Sequence, residues 1–172
     1  MYIFATTNIR NKMEKTITID VEERVATARN YFTSGYNCSQ AVVMTFADVM
    51  ELSAEGAARL AAPFGGGMGR LREVCGTVSG MAMVAGALSP STDPKNMGER
   101  QANYALVQRF AEAFRKENGD IVCRRLLGLE PREVASEGAM PSERTAEYYR
   151  KRPCVEYVAT AARIVAEYIK NR

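Results

Sequence analysis

The chain has 172 residues, of which 47% are apolar and 25% are charged, a composition typical of one folded domain with its own core. Its formal net charge is only +3, with acidic and basic residues interspersed, so nucleic acid is excluded as the main partner. The absence of histidine excludes Ser-His-Asp and Cys-His catalysis and histidine metal sites. No segment has the length and apolarity of a membrane span, so we expect a cytoplasmic protein without direct membrane insertion.

The predicted domain organisation is a loose tail followed by one helical domain. Residues 1–19 carry no helical periodicity, whereas residues 20–172 repeatedly place apolar residues three and four apart. No clear alternating run predicts a sheet, and no internal repeat divides the chain. We therefore expect an all-α, single-domain bundle of about six to seven helices.

The first half of the domain begins with two amphipathic helices. Their apolar stripes start at Val21 and at Cys38. Ser53, with Gly56 behind it, opens a short third helix that is expected to bury Leu60.

The second half contains the most apolar segment and the last helix. Residues 75–88 are apolar on all sides, which predicts a central buried helix. A long helix follows over about residues 97–116, and Asp120 is the predicted cap of a short one. After a mostly polar stretch, residues 130–152, the last helix opens at Cys154.

Each of the four cysteines lies at the predicted start of a helix: Cys38, Cys75, Cys123 and Cys154. A helix start presents unpaired N–H groups and the positive end of the dipole, which stabilise a thiolate relative to a thiol. Such positions can lower a cysteine pKa from about 8.5 to roughly 3.5–7.5. In the cytoplasm this placement indicates redox-active or metal-binding cysteines rather than permanent disulfides. Since no CxxC pair occurs, tertiary packing would have to bring the thiols together.

A glycine-rich run, residues 64–69 (FGGGMG), precedes the apolar segment. It lacks the Lys and Ser/Thr of a P-loop and follows no strand, so it is neither a P-loop nor a dinucleotide fingerprint. One interpretation is an anion-binding loop of backbone N–H groups, assisted by Arg70 and Arg72, whose glycines are Gly65, Gly66, Gly67, Gly69 and Gly76. The other is a tight turn that needs positive φ angles, and both can hold. Gly76 and Gly80, four apart, are expected to let a neighbouring backbone approach closely.

Three ordered motifs carry a family resemblance: residues 35–42 (GYNCSQAV), 64–69 (FGGGMG) and 75–80 (CGTVSG). They resemble the C_GCAxxG_C_C family, and the likeness extends over roughly residues 22–168. The resemblance implies a redox-active protein, often encoded near transporter genes and so functionally linked to a membrane transporter. It also implies that the functional set is Cys38, Cys75, Cys123 and Cys154. Thr77 departs from the alanine frequent in the family and adds a hydroxyl beside Cys75.

The leading interpretation is thiol–disulfide chemistry, or the carriage of sulfur as a persulfide, with a redox protein or a small thiol as partner and no cofactor. Cys75 is the predicted attacking thiolate, because its helix start, the preceding glycines and the nearby arginines favour the anion. Cys38 is its predicted resolving partner, and Cys123 and Cys154 form a second pair. Four cysteines allow three pairings, and all three stay open, as does the question of whether the protein is an enzyme.

Two other classes of function stay open. In the first, the same four cysteines bind zinc or an iron–sulfur cluster, an alternative that the absence of CxxC spacing disfavours. In the second, the protein is a non-enzymatic interaction module whose cysteines only fill the core. Replacing Cys75 by Ser would then alter stability without altering partner-dependent function.

Overall fold

A computed structural model describes residues 19–136 and 138–172, and these residues form nine α-helices: α1 (Val21–Thr33), α2 (Cys38–Thr45), α3 (Ala54–Ala61), α4 (Gly76–Leu88), α5 (Met97–Asn118), α6 (Cys123–Leu126), α7 (Pro131–Ser136), α8 (Ala146–Lys151) and α9 (Cys154–Lys170). Six of the nine have eight residues or more. The described residues contain no strand, which confirms the all-α class. Nearly all of the tail predicted for residues 1–19 lies outside these ranges. Within them, no helix combines the length and apolarity needed to cross a membrane.

The bundle is organised around α2, α4 and α9. Helix α1 lies along α9, α2 packs against α1, α3 and α4, and α4 also contacts α5 and α9. The largest fully buried side chains lie where these helices meet: Phe32, Phe46, Phe110, Phe114 and Met81. Complete burial of one such side chain contributes roughly 1.5–3 kcal/mol to stability. Apolar packing between helices therefore supplies the core.

Helix α2 is buried on nearly all sides. Helix α4, the apolar segment that was expected to be the central buried helix, is buried less completely. Seven of the eight residues of α2 are buried, and only Gln40 is partly exposed. Helix α4 buries eight of its thirteen residues but exposes Gly86 and Ala87 near its end. The reason is that α2 has neighbours on several sides, whereas the last turn of α4 reaches the surface.

Local capping chemistry sets several of the helix starts. The side chain of Asn37 accepts a hydrogen bond from the N–H of Gln40, and the Gln40 side chain accepts one from the N–H of Asn37, which completes a capping box. Ser53 caps α3 as predicted, by accepting from the N–H of Gly56.

Two details of the sequence prediction are wrong. Asp120 does not cap α6, because that helix begins after Val122, and the Asp120 carboxylate instead accepts from the N–H groups of Ile121 and Val122. Leu60 is 49% exposed, whereas Ala57 and Ala61 form the buried face of α3. The small alanines allow α3 to pack closely on α2.

Candidate functional site

All four cysteines lie at helix starts, as the sequence predicts. Cys38, Cys123 and Cys154 are the first residues of α2, α6 and α9, and Cys75 is the residue that precedes α4. The side chains of Cys38, Cys75 and Cys123 are buried, whereas Cys154 is only partly buried, and all four are free thiols.

The tertiary structure brings these four helix starts to one cavity. Cys38, Cys75, Cys123 and Cys154 all line a space of about 460 Å³, measured with its mouth. We call this space the cysteine cavity. The remaining wall is mostly aromatic, aliphatic and cationic: Phe32, Asn37, Gly66, Arg72, Thr77, Leu126, Leu127, Arg144, Tyr148, Arg152 and Tyr157. Thiols that are 31 to 116 residues apart in the chain therefore face a single site.

Two glycines make room for the cysteine side chains. A β-carbon built on Gly76 would lie 2.5 Å from Cys38 Sγ, and one on Gly67 would lie 2.7 Å from Cys123 Cβ. Neither distance is possible between real atoms, so the thiol of Cys38 and the side chain of Cys123 occupy the space that a larger residue would fill. On the same face of α4, a β-carbon on Gly80 would lie 2.9 Å from Val42 Cβ, which confirms the predicted close approach of a neighbouring helix.

A short antiparallel pairing, which no pattern in the sequence predicts, positions two of the cysteines. The N–H of Cys75 donates to the carbonyl of Ile121 at 2.8 Å, and the N–H of Cys123 donates to the carbonyl of Glu73 at 2.6 Å. These bonds flank an isolated bridge between Val74 and Val122. The pairing joins segments almost fifty residues apart, and it fixes the backbone of Cys75 relative to that of Cys123.

The glycine-rich run forms a left-handed turn. Gly66, Gly67 and Gly69 have positive φ, and so do Arg70 and Arg72, at 69° and 61°. A left-handed conformation costs a non-glycine residue about 1–3 kcal/mol, so the surrounding structure must hold these arginines in place. The turn interpretation of this segment is therefore confirmed.

The amide groups of this turn are largely used within it. The N–H of Gly65 donates to the carbonyl of Ala62, and that of Gly69 donates to the carbonyl of Pro63 at 2.7 Å. These two N–H groups are bonded within the turn, and the anion-binding loop through Gly65, Gly66, Gly67, Gly69 and Gly76 stays a prediction. Gly66 does line the cysteine cavity.

Sequence reasoning missed two arginines and two tyrosines of the cavity wall. Arg144 and Arg152 come from the polar segment before α9, and the Cζ atom of each lies over the Tyr148 ring, at 4.6 and 5.1 Å from its centre. Tyr157, in the first turn of α9, donates a hydrogen bond to the carbonyl of Leu126 at 3.0 Å. The run of basic residues at 150–152 is the only feature of the sequence that indicates arginines near the cysteines. A basic run of that length is usually exposed to solvent.

The comparison with protein families agrees with this arrangement. The profile of the family described as "Putative redox-active protein (C_GCAxxG_C_C)" matches residues 36–168. The chain belongs to this C_GCAxxG_C_C family. Neither the curated proteins nor the solved structures gave a match. The matched region contains all four cysteines of the cavity.

The electrostatic environment of three of the four cysteines is the reverse of the one expected from helix starts. Burial raises the pKa of Cys75, of Cys123 and of Cys154, the last to about 12. The Cys38 thiol raises the pKa of each of these three residues further, more than any other thiol does. Loss of solvent around the thiolate therefore outweighs the stabilisation that helix starts provide. The predicted lowered pKa of Cys75 is wrong.

Hydrogen-bond donors and cations partly oppose this effect of burial. The Thr77 hydroxyl lies 3.1 Å from Cys75 Sγ and lowers the pKa of that thiol. Arg72, which is 2% exposed, reaches Cys123 Sγ with Nη1 at 3.9 Å and lowers the pKa of Cys123. Arg152 and Arg144 act in the same direction on the pKa of Cys154. The threonine that departs from the family pattern is therefore in direct contact with a cysteine.

The cavity as it stands does not fit a metal ion. Over residues 19–136 and 138–172, no group of three or more cysteine or carboxylate side chains is close enough together to hold one. The chain has no histidine to complete a site. The four thiols line a common space, but they do not converge on one point. A zinc or iron–sulfur site requires such convergence.

Proposed function

We propose that this protein is a cytoplasmic thiol–disulfide redox protein whose four-cysteine cavity exchanges two electrons with a small sulfur compound. The observation that carries the proposal is that four free thiols line one cavity. Free thiols persist in the reducing cytoplasm, where cysteines grouped in this way are usually redox-active or metal-binding. The family description as redox-active is consistent with this chemistry.

The reaction is a two-electron exchange. Burial raises the pKa of Cys154 to about 12, so only a small fraction of the molecules carries the Cys154 thiolate at pH 8. This thiolate attacks one sulfur of a small disulfide, breaks its S–S bond and releases a first small thiolate, which takes up a proton. Cys38 then attacks the Cys154 sulfur of the mixed disulfide and releases the second small thiolate, which is also protonated. The two protein thiols are oxidised to a disulfide, and the small disulfide is reduced to two thiols.

The assignment of roles follows from exposure and proximity. Cys154 is the cysteine of the four that is only partly buried, so it is the one that an incoming disulfide meets first. Cys38 is the proposed resolving residue, because its thiol lines the same cavity as Cys154 and lies against Gly76, the residue after Cys75. In this scheme Cys75 and Cys123, whose backbones the antiparallel pairing fixes, form a second dithiol that can take over the electrons. The attacking residue is thus Cys154 rather than Cys75.

The test is a single-turnover oxidation of the reduced protein by bis(2-hydroxyethyl) disulfide, a neutral small disulfide, at pH 8. We expect two small thiols released per protein and a Cys38–Cys154 disulfide in the mass spectrum of the digest. In Cys38→Ser the reaction should stop at a mixed disulfide on Cys154, with one thiol released. The protein unfolded in guanidinium, where all four cysteines are equally accessible, is the reference for the intrinsic rate.

Three results would contradict the proposal. One is an unchanged count of protein thiols after excess disulfide. Another is a first thiol released at the same rate by wild type and Cys154→Ser, which would remove Cys154 from its role. The third is stoichiometric zinc or iron in protein purified without oxygen, which would support the metal alternative instead.

A further inference from the structure

A second space, more open to solvent, lies beside the cysteine cavity. Six residues line both spaces: Asn37, Gly66, Arg72, Arg144, Tyr148 and Arg152. We call it the vestibule. Because the two spaces share these six residues, a molecule bound in the vestibule lies next to the cysteine cavity.

The vestibule is cationic. Arg144 and Arg152 line both spaces, and the described lining residues of both spaces include no aspartate or glutamate. Over residues 19–136 and 138–172, no carboxylate forms an ion pair with Arg144 or Arg152. The summed field at this entrance therefore favours anions.

Arg144 supplies a donor that lacks an acceptor. Its guanidinium stacks on the rings of Phe32 and Tyr148, with the Cζ atom 4.9 and 4.6 Å from the ring centres. Aromatic faces attract the positive charge but do not accept the N–H bonds that point out of the guanidinium edge. Nη1 of Arg144 is buried and has no hydrogen-bond partner. A carboxylate or similar oxyanion would satisfy this nitrogen and the charge together.

We propose that the vestibule binds the anionic end of a small disulfide or thiol that carries a carboxylate or comparable oxyanion group, through Arg144 and Arg152, while its sulfur enters the cysteine cavity. This inference rests on the proposed function, and it adds the chemical class of the substrate. A small molecule is favoured over an acidic protein because the thiols that it must reach line a cavity in which three of the four cysteines are buried.

The test compares three disulfides of similar size and different charge. They are dithiodiglycolate with two carboxylates, the neutral bis(2-hydroxyethyl) disulfide, and cystamine with two ammonium groups. Each single-turnover rate constant is divided by the rate constant of the same disulfide with dithiothreitol, which removes differences in intrinsic reactivity. We expect the dianion to react about tenfold faster than the neutral disulfide, cystamine to react slowest, and the difference to shrink as salt is added.

Two variants test whether Arg144 and Arg152 cause the preference for the dianionic disulfide. Arg144→Gln and Arg152→Gln should each lower the dianion-to-neutral ratio several-fold, and the double variant should bring it close to one. The control is Arg109→Gln. The Cζ atom of Arg109 also lies over a tyrosine ring, 5.1 Å from the centre of Tyr168. Tyr168, however, lies near the opposite end of α9 from Cys154. This control should leave the ratio unchanged.

The outcomes separate the two proposals. If none of the three disulfides oxidises the protein, the proposed function is contradicted. If all three react at similar normalised rates, or if the double variant keeps the preference, the redox function stands and the anionic substrate class is overturned. Binding of succinate, an unreactive dicarboxylate, measured by calorimetry, gives a second readout that does not depend on turnover. Its absence at millimolar concentration, or its persistence in the double variant, would also overturn the inference.

Discussion

Cys38 Sγ lies against the bare backbone of Gly76, in the space that a β-carbon at position 76 would occupy. Gly76 directly follows Cys75, so this contact places the thiol of α2 beside the start of α4. The carbonyl of Phe64 limits the same space from another side, 2.7 Å from that β-carbon position. The glycine is therefore required for the packing of two cysteines at one site, and it is not required for any unusual φ angle.

Replacing Gly76 by Ala should destabilise the protein and displace Cys38. The new methyl group would have to push away a sulfur and a carbonyl oxygen, and overpacking of this kind typically costs about 1–3 kcal/mol. Urea unfolding of the reduced protein measures the loss, and mapping of disulfides after oxidation measures the displacement.

The matched control for this substitution is Gly86→Ala in the same helix. A β-carbon at Gly86 would meet nothing within 4 Å. Because alanine has a higher helix propensity than glycine, this variant should be more stable than wild type by up to about 1 kcal/mol. A Gly76→Ala protein that is as stable as the Gly86→Ala protein would contradict the packing argument.

Replacing Thr77 by Ala should make Cys75 less acidic. The buried hydroxyl lies 3.1 Å from Cys75 Sγ and lowers the pKa of that thiol, so its removal leaves only the backbone hydrogen bond of residue 77 to oppose burial and the neighbouring thiols. Alkylation of Cys75 by iodoacetamide, resolved by mass spectrometry, should therefore shift to higher pH. Thr77→Ser keeps the hydroxyl and should retain the wild-type profile. Identical profiles for the alanine and serine variants would exclude a role for the hydroxyl.

Replacing Asn37 by Ala should loosen the start of α2, where Cys38 lies. The substitution removes the cap to the N–H of Gln40 and a second hydrogen bond, from Asn37 Nδ2 to the carbonyl of Ala62. Loss of a cap costs about 1 kcal/mol, and alkylation of Cys38 should become faster. Ser53→Ala removes the cap of α3 at a similar cost and should leave Cys38 unaffected. Equal effects of the two variants on Cys38 would indicate general destabilisation instead.

The reduced protein should lose stability in alkaline solution. The pKa of Cys154 is about 12 in the folded protein against an ordinary value of 9.0, so the folded state keeps a proton that the unfolded chain has lost. The contribution of this thiol to stability is complete below about pH 9 and decreases as the pH rises towards 12. The slope reaches at most about 1.4 kcal/mol per pH unit for one thiol.

Urea unfolding at pH 8, 9 and 10 measures this dependence. Tyr148 and Tyr157 also have a raised pKa and contribute in the same direction, so the informative comparison is between wild type and Cys154→Ser. The serine variant should show the shallower decrease between pH 9 and 10, and so should the oxidised protein, in which the thiol no longer ionises. Parallel curves for wild type and Cys154→Ser would contradict the raised pKa.

The sequence by itself determined where α2 and α3 begin and that cysteines stand at helix starts. Asn37 with Gln40 and Ser53 with Gly56 are local signals, because a cap bonds to an amide only three residues away. The family motifs, likewise, could be recognised without coordinates. The spacing of Gly76 and Gly80 also predicted that a neighbouring helix approaches closely, although it did not identify Cys38 as the group in contact.

Only the tertiary structure decided what surrounds those cysteines. The pairing of Cys75 with Ile121 and of Cys123 with Glu73, and the position of Arg144 at the cavity, all depend on contacts between residues far apart in the chain. The direction of the cysteine pKa shifts was reversed for the same reason. The dipole of a helix start is a local property that a sequence reveals, whereas exclusion of water from a thiolate depends on every element that packs around it.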